Sequence, residues 1–107
     1  MSLPMIDERN FPELVAGTDV AVLEFGAVWC PPCKALLPIL EDLAGECGPN
    51  VAIAKTDADD SPELASQFGV MSLPTVIVFK GGEPVDKLVG LRPKEVYRTV
   101  IDRWTAN

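Results

Sequence analysis

Short apolar runs along this chain predict its β-strands. The run VAVLEF at 20–25 is apolar everywhere except at Glu24, which is typical of a strand buried on both faces. A second apolar run starts at Val51. The segments TVIVFK at 75–80 and EPVDKLVG at 83–90 flank a pair of glycines, and this pattern predicts a β-hairpin with a tight turn.

Helices are predicted where apolar residues recur every three or four positions between these runs. The longest follows the first strand and contains Pro38, which should kink it. A capping box formed by Asn10 and Glu13 predicts a short helix near the N-terminus. Two further helices are expected, one with Ser61 as its N-cap and one from about Pro93 onward.

The order of these elements predicts a single α/β domain that covers residues 1–107. A strand, a helix and a strand in succession form a parallel pair with a right-handed crossover. The hairpin adds antiparallel strands, so we expect a central mixed β-sheet with helices on both faces. A length of 107 residues suits one domain with its own apolar core.

Composition excludes several classes of function. The net charge of −7 argues against nucleic acid or an anionic membrane as a partner, because both require a basic face. The absence of histidine removes histidine-activated nucleophiles and most catalytic zinc sites. We see no signal peptide and no stretch long enough to span a membrane. We therefore expect a soluble monomer in the reducing cytosol, where cysteines serve catalysis or metal binding.

Cys30 and Cys33 are separated by two residues where the first strand gives way to the longest helix. A helix N-terminus favours an anion and should lower the pKa of the Cys30 thiol. Pro31 and Pro32 have no N–H, which leaves the amide of Cys33 as the donor to a Cys30 thiolate. We predict that Cys30 is the exposed, attacking thiol and that Cys33 is the more buried, resolving thiol.

Glu24 is the one charged residue of the first strand, and burial there should raise its pKa. One interpretation is a structural ion pair with Lys55 from the neighbouring strand. The other is that Glu24 accepts the proton of Cys33 when this thiol must become a thiolate. Both interpretations can hold, because a nearby lysine would limit the rise in pKa. We favour a functional role, since perturbed carboxylates beside thiols are typical of active sites.

Three segments carry a resemblance to a known family. They are LEFGAVWCPPCKALLPIL, KTDAD and GVMSLPTVIVFKGGEPVDKLVG, in this order, and an amphipathic helix follows them. Along nearly its whole length the chain resembles thioredoxins. The resemblance implies the thioredoxin fold and a dithiol–disulfide oxidoreductase that binds no cofactor. Its implied partners are disulfide-containing client proteins and a thioredoxin reductase that supplies electrons.

The resemblance also implies positions for the site. By its sequence position alone Pro74 is an ordinary trans proline ahead of a strand, whereas the resemblance implies a cis bond beside the cysteines. It implies that the backbone of Leu73 binds the substrate as an added strand. Glu24 takes the family position of a buried aspartate. The other residues that match family positions are Trp29, Pro32, Lys34, Pro38, Lys55, Asp59 and Gly90. The expected substrate contacts are Trp29, Pro31, Pro32, Leu73, Pro74, Gly90 and Leu91.

Three departures from the family pattern are compatible with disulfide reduction but leave the redox potential and the preferred reductase open. Pro31 replaces the usual glycine, Glu24 is one methylene longer than aspartate, and Gly26 stands where an aromatic residue is common. Outside the motif, Met71 and Leu91 flank the expected site and are either docking surface or packing residues. We interpret two other residues, Cys47 and Trp104, as members of the core.

Other functions remain open from the sequence. An oxidase or isomerase would use the same pair with a more oxidising potential, although no signal peptide supports it. A metal or iron–sulfur protein would need a dimer, because one cysteine pair supplies only two ligands and there is no histidine. A binding module could use the groove of this fold without chemistry, but the intact cysteine pair and Glu24 argue against it.

Overall fold

The computed structural model describes residues 3–105. In chain order its elements are α1 (Phe11–Ala16), β1 (Val20–Gly26), α2 (Pro31–Glu46), β2 (Val51–Asp57), α3 (Pro62–Gln67), β3 (Thr75–Lys80), β4 (Glu83–Val89) and α4 (Lys94–Thr105). Within these residues the strands form a four-stranded sheet in the order β2-β1-β3-β4. β1 pairs in parallel with β2 and antiparallel with β3, and β3 pairs antiparallel with β4. The predicted mixed sheet is confirmed.

β1 is buried along its whole length because it has a strand on each side and helices over each face. Alternate residues of a strand point to opposite faces, so β1 contributes to two separate apolar clusters. On one face the cluster contains Val20, Val22, Leu36, Leu40, Leu43, Tyr97 and Ile101. On the other it contains Ala21, Leu23, Phe25, Leu64 and Phe79, with Phe11 and Phe68 packed against them. The helices therefore cover both faces, as the pattern predicts.

The turn between β3 and β4 follows the predicted hairpin. Gly81 and Gly82 have φ values of 58° and 85°, in the left-handed region that the tight hairpin turn requires. Pro84 lies in β4, and an edge strand is where a residue without an N–H is tolerated. α2 runs through Pro38, and α4 begins at Lys94.

Asn10 and Ser61 occupy the predicted N-cap positions, but neither side chain makes a capping hydrogen bond. Asn10 precedes α1, but its side chain accepts a hydrogen bond from the Asp7 N–H at 2.7 Å and donates to the Met5 carbonyl at 3.0 Å. Because these bonds hold the turn before the helix, no capping box with Glu13 forms. Ser61 occupies the N-cap position of α3, but its side chain makes no capping hydrogen bond.

The segment before α1 adds a short pairing beside β2 that the sequence did not predict. The Lys55 N–H donates to the Pro4 carbonyl at 3.0 Å, and the Ile6 N–H donates to the Lys55 carbonyl at 2.8 Å. A bridge of one residue pair, Met5 with Lys55, leaves no repeating pattern in the sequence. It places Met5 beside the cysteine end of the sheet.

The two residues assigned to the core are only half-buried. Cys47 packs against the larger cluster at the end of α2, and burial raises the pKa of its thiol, with the charge of Asp102 adding to the rise. Trp104 packs against the same cluster and donates its indole N–H to Asp86 at 2.8 Å. In residues 3–105 no helix is both long enough and apolar enough to cross a bilayer.

Candidate active site

Cys30 and Cys33 form a disulfide at the junction between β1 and α2, and their Cα atoms are 5.3 Å apart. Cys30 is the N-cap of α2, and its carbonyl accepts the first helical hydrogen bond from the Lys34 N–H at 3.2 Å. Pro31 and Pro32 fill the first turn, where a missing N–H leaves no helical bond unmade. The disulfide therefore lies beyond the C-terminal end of the central strand β1.

Both cysteines are buried in this oxidised state, with exposed fractions of 4% for Cys30 and 3% for Cys33. The prediction that Cys30 is clearly the more exposed is wrong for the disulfide form. Ala27 and Leu73 pack against the bonded pair. The two cysteines differ instead in their surroundings. Trp29 beside Cys30 is 64% exposed, whereas Cys33 lines an inner cavity.

On the outer side of the pair, Trp29 is held in place by a charged partner. Its indole N–H donates to Oδ2 of Asp59 at 2.6 Å. This bond positions the ring along a groove that is also lined by Met71 and Leu73. The Met71 side chain is 95% exposed. Exposed apolar side chains around a groove are typical of an interaction surface.

The loop before β3 completes this outer side. The Leu73–Pro74 peptide bond is cis, as the resemblance implies. The Pro74 carbonyl accepts the Gly90 N–H at 2.8 Å, and Gly90 has a φ of 86°, a conformation that favours glycine. Within residues 3–105 the backbone N–H and carbonyl of Leu73 take part in no hydrogen bond. Leu91, next to Gly90, is exposed.

On the inner side, Cys33 and charged residues of the sheet line one cavity of about 260 Å³. Its lining includes Met5, Glu24, Gly26, Cys33, Lys34, Leu37, Lys55 and Asp57. Glu24 is 3% exposed, and its carboxylate has no hydrogen-bond partner within residues 3–105. Every fully buried side-chain oxygen in that range does have a partner. The Glu24 oxygens are therefore not sealed in the core but reach this cavity.

Burial raises the pKa of Glu24 to about 7, while the charge of Lys55 lowers it and that of Asp57 raises it. This confirms the predicted direction and the predicted counterweight. Glu24 and Lys55 are register partners in β1 and β2. However, the ion pairs in the described part of the chain include neither residue, so the interpretation of Glu24 as one half of a close structural ion pair is wrong. Lys55 acts on Glu24 at a distance, as a charge beside the same cavity.

Gly26 is part of this site in a way that the sequence did not reveal. A side chain at this position would overlap Oε2 of Glu24 and lie 3.2 Å from Cβ of Cys33. The sequence places both Glu24 and Gly26 on the same face of β1, because alternate strand residues share a face. The bend of the Glu24 side chain toward Gly26 is visible only in the structure. Across residues 3–105, no three Cys, Asp or Glu side chains are grouped to hold a metal ion.

Comparisons with known proteins agree on one family. A family model described as thioredoxin matches residues 2–103. A thioredoxin of Staphylococcus haemolyticus is 46% identical over 103 residues, which covers 96% of this chain and 98% of that protein. A mutant thioredoxin of Halobacterium salinarum has a TM-score of 0.92 at 32% identity, covering 97% of this chain and 91% of that one. The oxidised mitochondrial thioredoxin 3 of Saccharomyces cerevisiae has a TM-score of 0.83 at 31% identity, covering 94% of each chain.

Proposed function

This chain belongs to the thioredoxin family of thiol–disulfide oxidoreductases, and we propose that it reduces protein disulfides with Cys30 as the attacking thiol and Cys33 as the resolving thiol. The observation that carries the proposal is the position of the cysteine pair. On one side, Trp29 and Leu73 next to the pair line an exposed groove, and on the other side Cys33 itself lines a cavity together with the Glu24 carboxylate. A client can therefore approach from outside while a proton is handled inside.

In the first step the thiolate of Cys30 attacks one sulfur of a client disulfide. A bond forms between Cys30 and the client, and the second client sulfur leaves as a thiolate. The N-terminus of α2 stabilises the Cys30 thiolate before attack, and the Cys33 amide is its proposed donor.

In the second step Cys33 resolves the mixed disulfide. Glu24 accepts the proton of the Cys33 thiol, and the resulting thiolate attacks the Cys30 sulfur. The Cys30–Cys33 bond forms, and the reduced client leaves with the electron pair. A base is most effective when its pKa is near the working pH, and burial raises the pKa of Glu24 to about 7. Lys55 keeps the carboxylate able to ionise at that pH.

The client is held by the outer side. We propose that an extended client segment pairs with the unbonded backbone of Leu73, as added strands do in many peptide complexes. Shape and apolar contact come from the side chains around the sulfur pair. The proposed contacts are Trp29, Pro31, Pro32, Leu73, Pro74, Gly90 and Leu91.

Each cycle oxidises the Cys30–Cys33 dithiol to a disulfide, so an external donor must reduce it again. A thioredoxin reductase is the proposed donor, disulfide-containing proteins are the proposed clients, and no bound cofactor takes part. A reducing couple of this kind fits a monomer working in the cytosol.

The Cys-Pro-Pro-Cys spacer makes the redox potential the decisive test. Pro31 removes an N–H that could stabilise the thiolate, which favours the disulfide and lowers the redox potential. The stiff spacer also limits how Cys30 turns toward Cys33, and strain of this kind would raise the potential. Each effect is worth about 1.4 kcal/mol or less, which corresponds to about 30 mV. We expect a potential within several tens of millivolts of about −270 mV, the general value for thioredoxins.

The potential is measured by equilibrating the protein with a series of glutathione redox buffers and quantifying the Cys30–Cys33 disulfide. A value above about −200 mV would contradict a reductase and favour the oxidase or isomerase. A Cys47→Ser variant is the control, since removing this thiol leaves the couple unchanged.

A further inference from the structure

Gly26 and Glu24 share one region of space. An ideal Cβ built on Gly26 overlaps Oε2 of Glu24, comes within 3.1 Å of its Cδ and lies 3.2 Å from Cβ of Cys33. Each of these contacts is tighter than ordinary carbon–carbon or carbon–oxygen packing. The Glu24 carboxylate therefore occupies the volume that a side chain at 26 would fill, and this volume adjoins Cys33.

The other glycines near chain turns differ from Gly26. Gly81, Gly82 and Gly90 have positive φ, and open space surrounds their Cα atoms. Gly26 is an ordinary residue of a buried strand, where glycine is unfavourable because it packs no side chain. Its backbone does not require glycine, so the consequence of a side chain at this position would be displacement of the Glu24 carboxylate.

We propose that Gly26 is a positioning residue, whose missing side chain leaves the space in which the Glu24 carboxylate lies beside Cys33. The inference deepens the proposed function and rests on Glu24 as the acceptor of the Cys33 proton. A carboxylate one methylene longer than aspartate needs more room, and glycine two residues later on the same face provides that room.

Other charges around the carboxylate must stay in place for this role to be measured. The charges that act on the pKa of Glu24 are those of Lys55 and Asp57 on β2. Cys33 and Lys34 of α2 line the same cavity, and the charge of Glu24 acts on Tyr97 of α4. None of these is changed by a substitution at Gly26. A change in the protonation of Glu24 then reports the position of its own carboxylate.

The test is a double-mutant cycle made of Gly26→Ala, Glu24→Asp and the variant with both changes. Two quantities are measured in each protein: the pKa of the residue-24 carboxyl by carbon-13 NMR, and the rate at which Cys33 releases a preformed mixed disulfide. Gly45→Ala is the matched control, because a Cβ added at this helix position meets nothing within 4 Å.

In Gly26→Ala we expect the methyl group to push the carboxylate outward into the cavity, toward water and Lys55. Its pKa should fall by about one unit, and the resolving rate near neutral pH should fall about tenfold. The shorter acid in the Glu24→Asp background withdraws from the contact, so adding Gly26→Ala there should change the rate by about threefold at most. Gly45→Ala should leave both quantities unchanged.

An identical carboxyl pKa in Gly26→Ala and the unaltered chain would overturn the positioning role, as would equal effects of Gly26→Ala in both backgrounds. If Gly26→Ala unfolds the chain while the double variant folds and resolves normally, the competition for space is supported. A Glu24→Gln variant that resolves normally would instead overturn the proposed proton transfer. The carboxyl pKa in Gly26→Ala would still decide the role of Gly26.

Discussion

The outer side of the cysteine pair is lined mainly by exposed apolar side chains, whereas the lining of the inner side includes charged ones. The outer side combines exposed apolar side chains such as Trp29 and Met71 with the unbonded backbone of Leu73. The inner side has a buried carboxylate, Glu24, without a hydrogen-bond partner in the described residues, and a lysine beside the same cavity. One side suits recognition of a chain from solvent, and the other suits the movement of a proton.

One turn of α2 separates the two cysteines, and we infer that it also separates their tasks. Cys30 is the N-cap of α2, next to Trp29 of the groove, and Cys33 lies three residues further along and lines the cavity. Changes on the outer side should therefore affect binding and attack, and changes on the inner side should affect the resolving step and its pH dependence.

The largest effect is expected from Cys33→Ser. Without the second thiol, Cys30 still attacks but nothing releases the product, so turnover should be abolished. Stable mixed disulfides with a test substrate such as insulin should accumulate and be visible by mass spectrometry without reductant. Cys47→Ser should turn over normally. Normal turnover by Cys33→Ser would rule out a mechanism that uses both cysteines.

A large effect on stability is expected from Glu24→Gln. The folded-state pKa of Glu24 is raised to about 7 from 4.5, so the folded chain holds this proton more tightly than the unfolded chain. The stability that this proton provides is present below pH 4.5 and is lost as the pH rises through about 7. A glutamine does not ionise, so its stability lacks this pH dependence. The free energy of unfolding of the variant should therefore rise relative to that of the unaltered chain by about 3 kcal/mol between pH 4 and pH 8.

Urea unfolding at several pH values measures this difference directly. Glu41→Gln is a suitable control, because it changes the same chemical group on α2. A difference between Glu24→Gln and the unaltered chain that stays constant with pH would show that Glu24 titrates normally.

A smaller effect is expected from Met71→Ala on the outer side. Removing this exposed side chain should raise KM for a protein disulfide about threefold, by loss of apolar contact, and leave the resolving rate unchanged. Met5→Ala is the matched control, since Met5 is an exposed methionine beside the inner cavity. An equal rise in KM for both variants would mean that Met71 does not belong to the docking surface.

Much of this arrangement is predictable because the local signals agree with the tertiary structure. The apolar run of β1, the Gly81-Gly82 turn and the cysteine pair at a strand–helix junction each have a direct sequence signature. The raised pKa of Glu24 follows from a carboxylate in a buried strand.

The remaining features depend on side-chain positions that a sequence pattern does not contain. Cys30 is nearly as buried as Cys33 in the disulfide, and the side chain of Asn10 bonds the preceding turn rather than the helix. Glu24 and Gly26 are predictably on one face, but their contact depends on the Glu24 rotamer.

The central claim is that Cys30 and Cys33 are served by separate sides of the site. Its most direct test is stopped-flow measurement of the attack rate and the resolving rate of Glu24→Gln across the pH range. We expect the attack rate to match that of the unaltered chain. The resolving rate should fall about a hundredfold at neutral pH and lose its inflection near the Glu24 pKa of about 7. Equal slowing of both steps, or no slowing of either, would contradict the division of tasks.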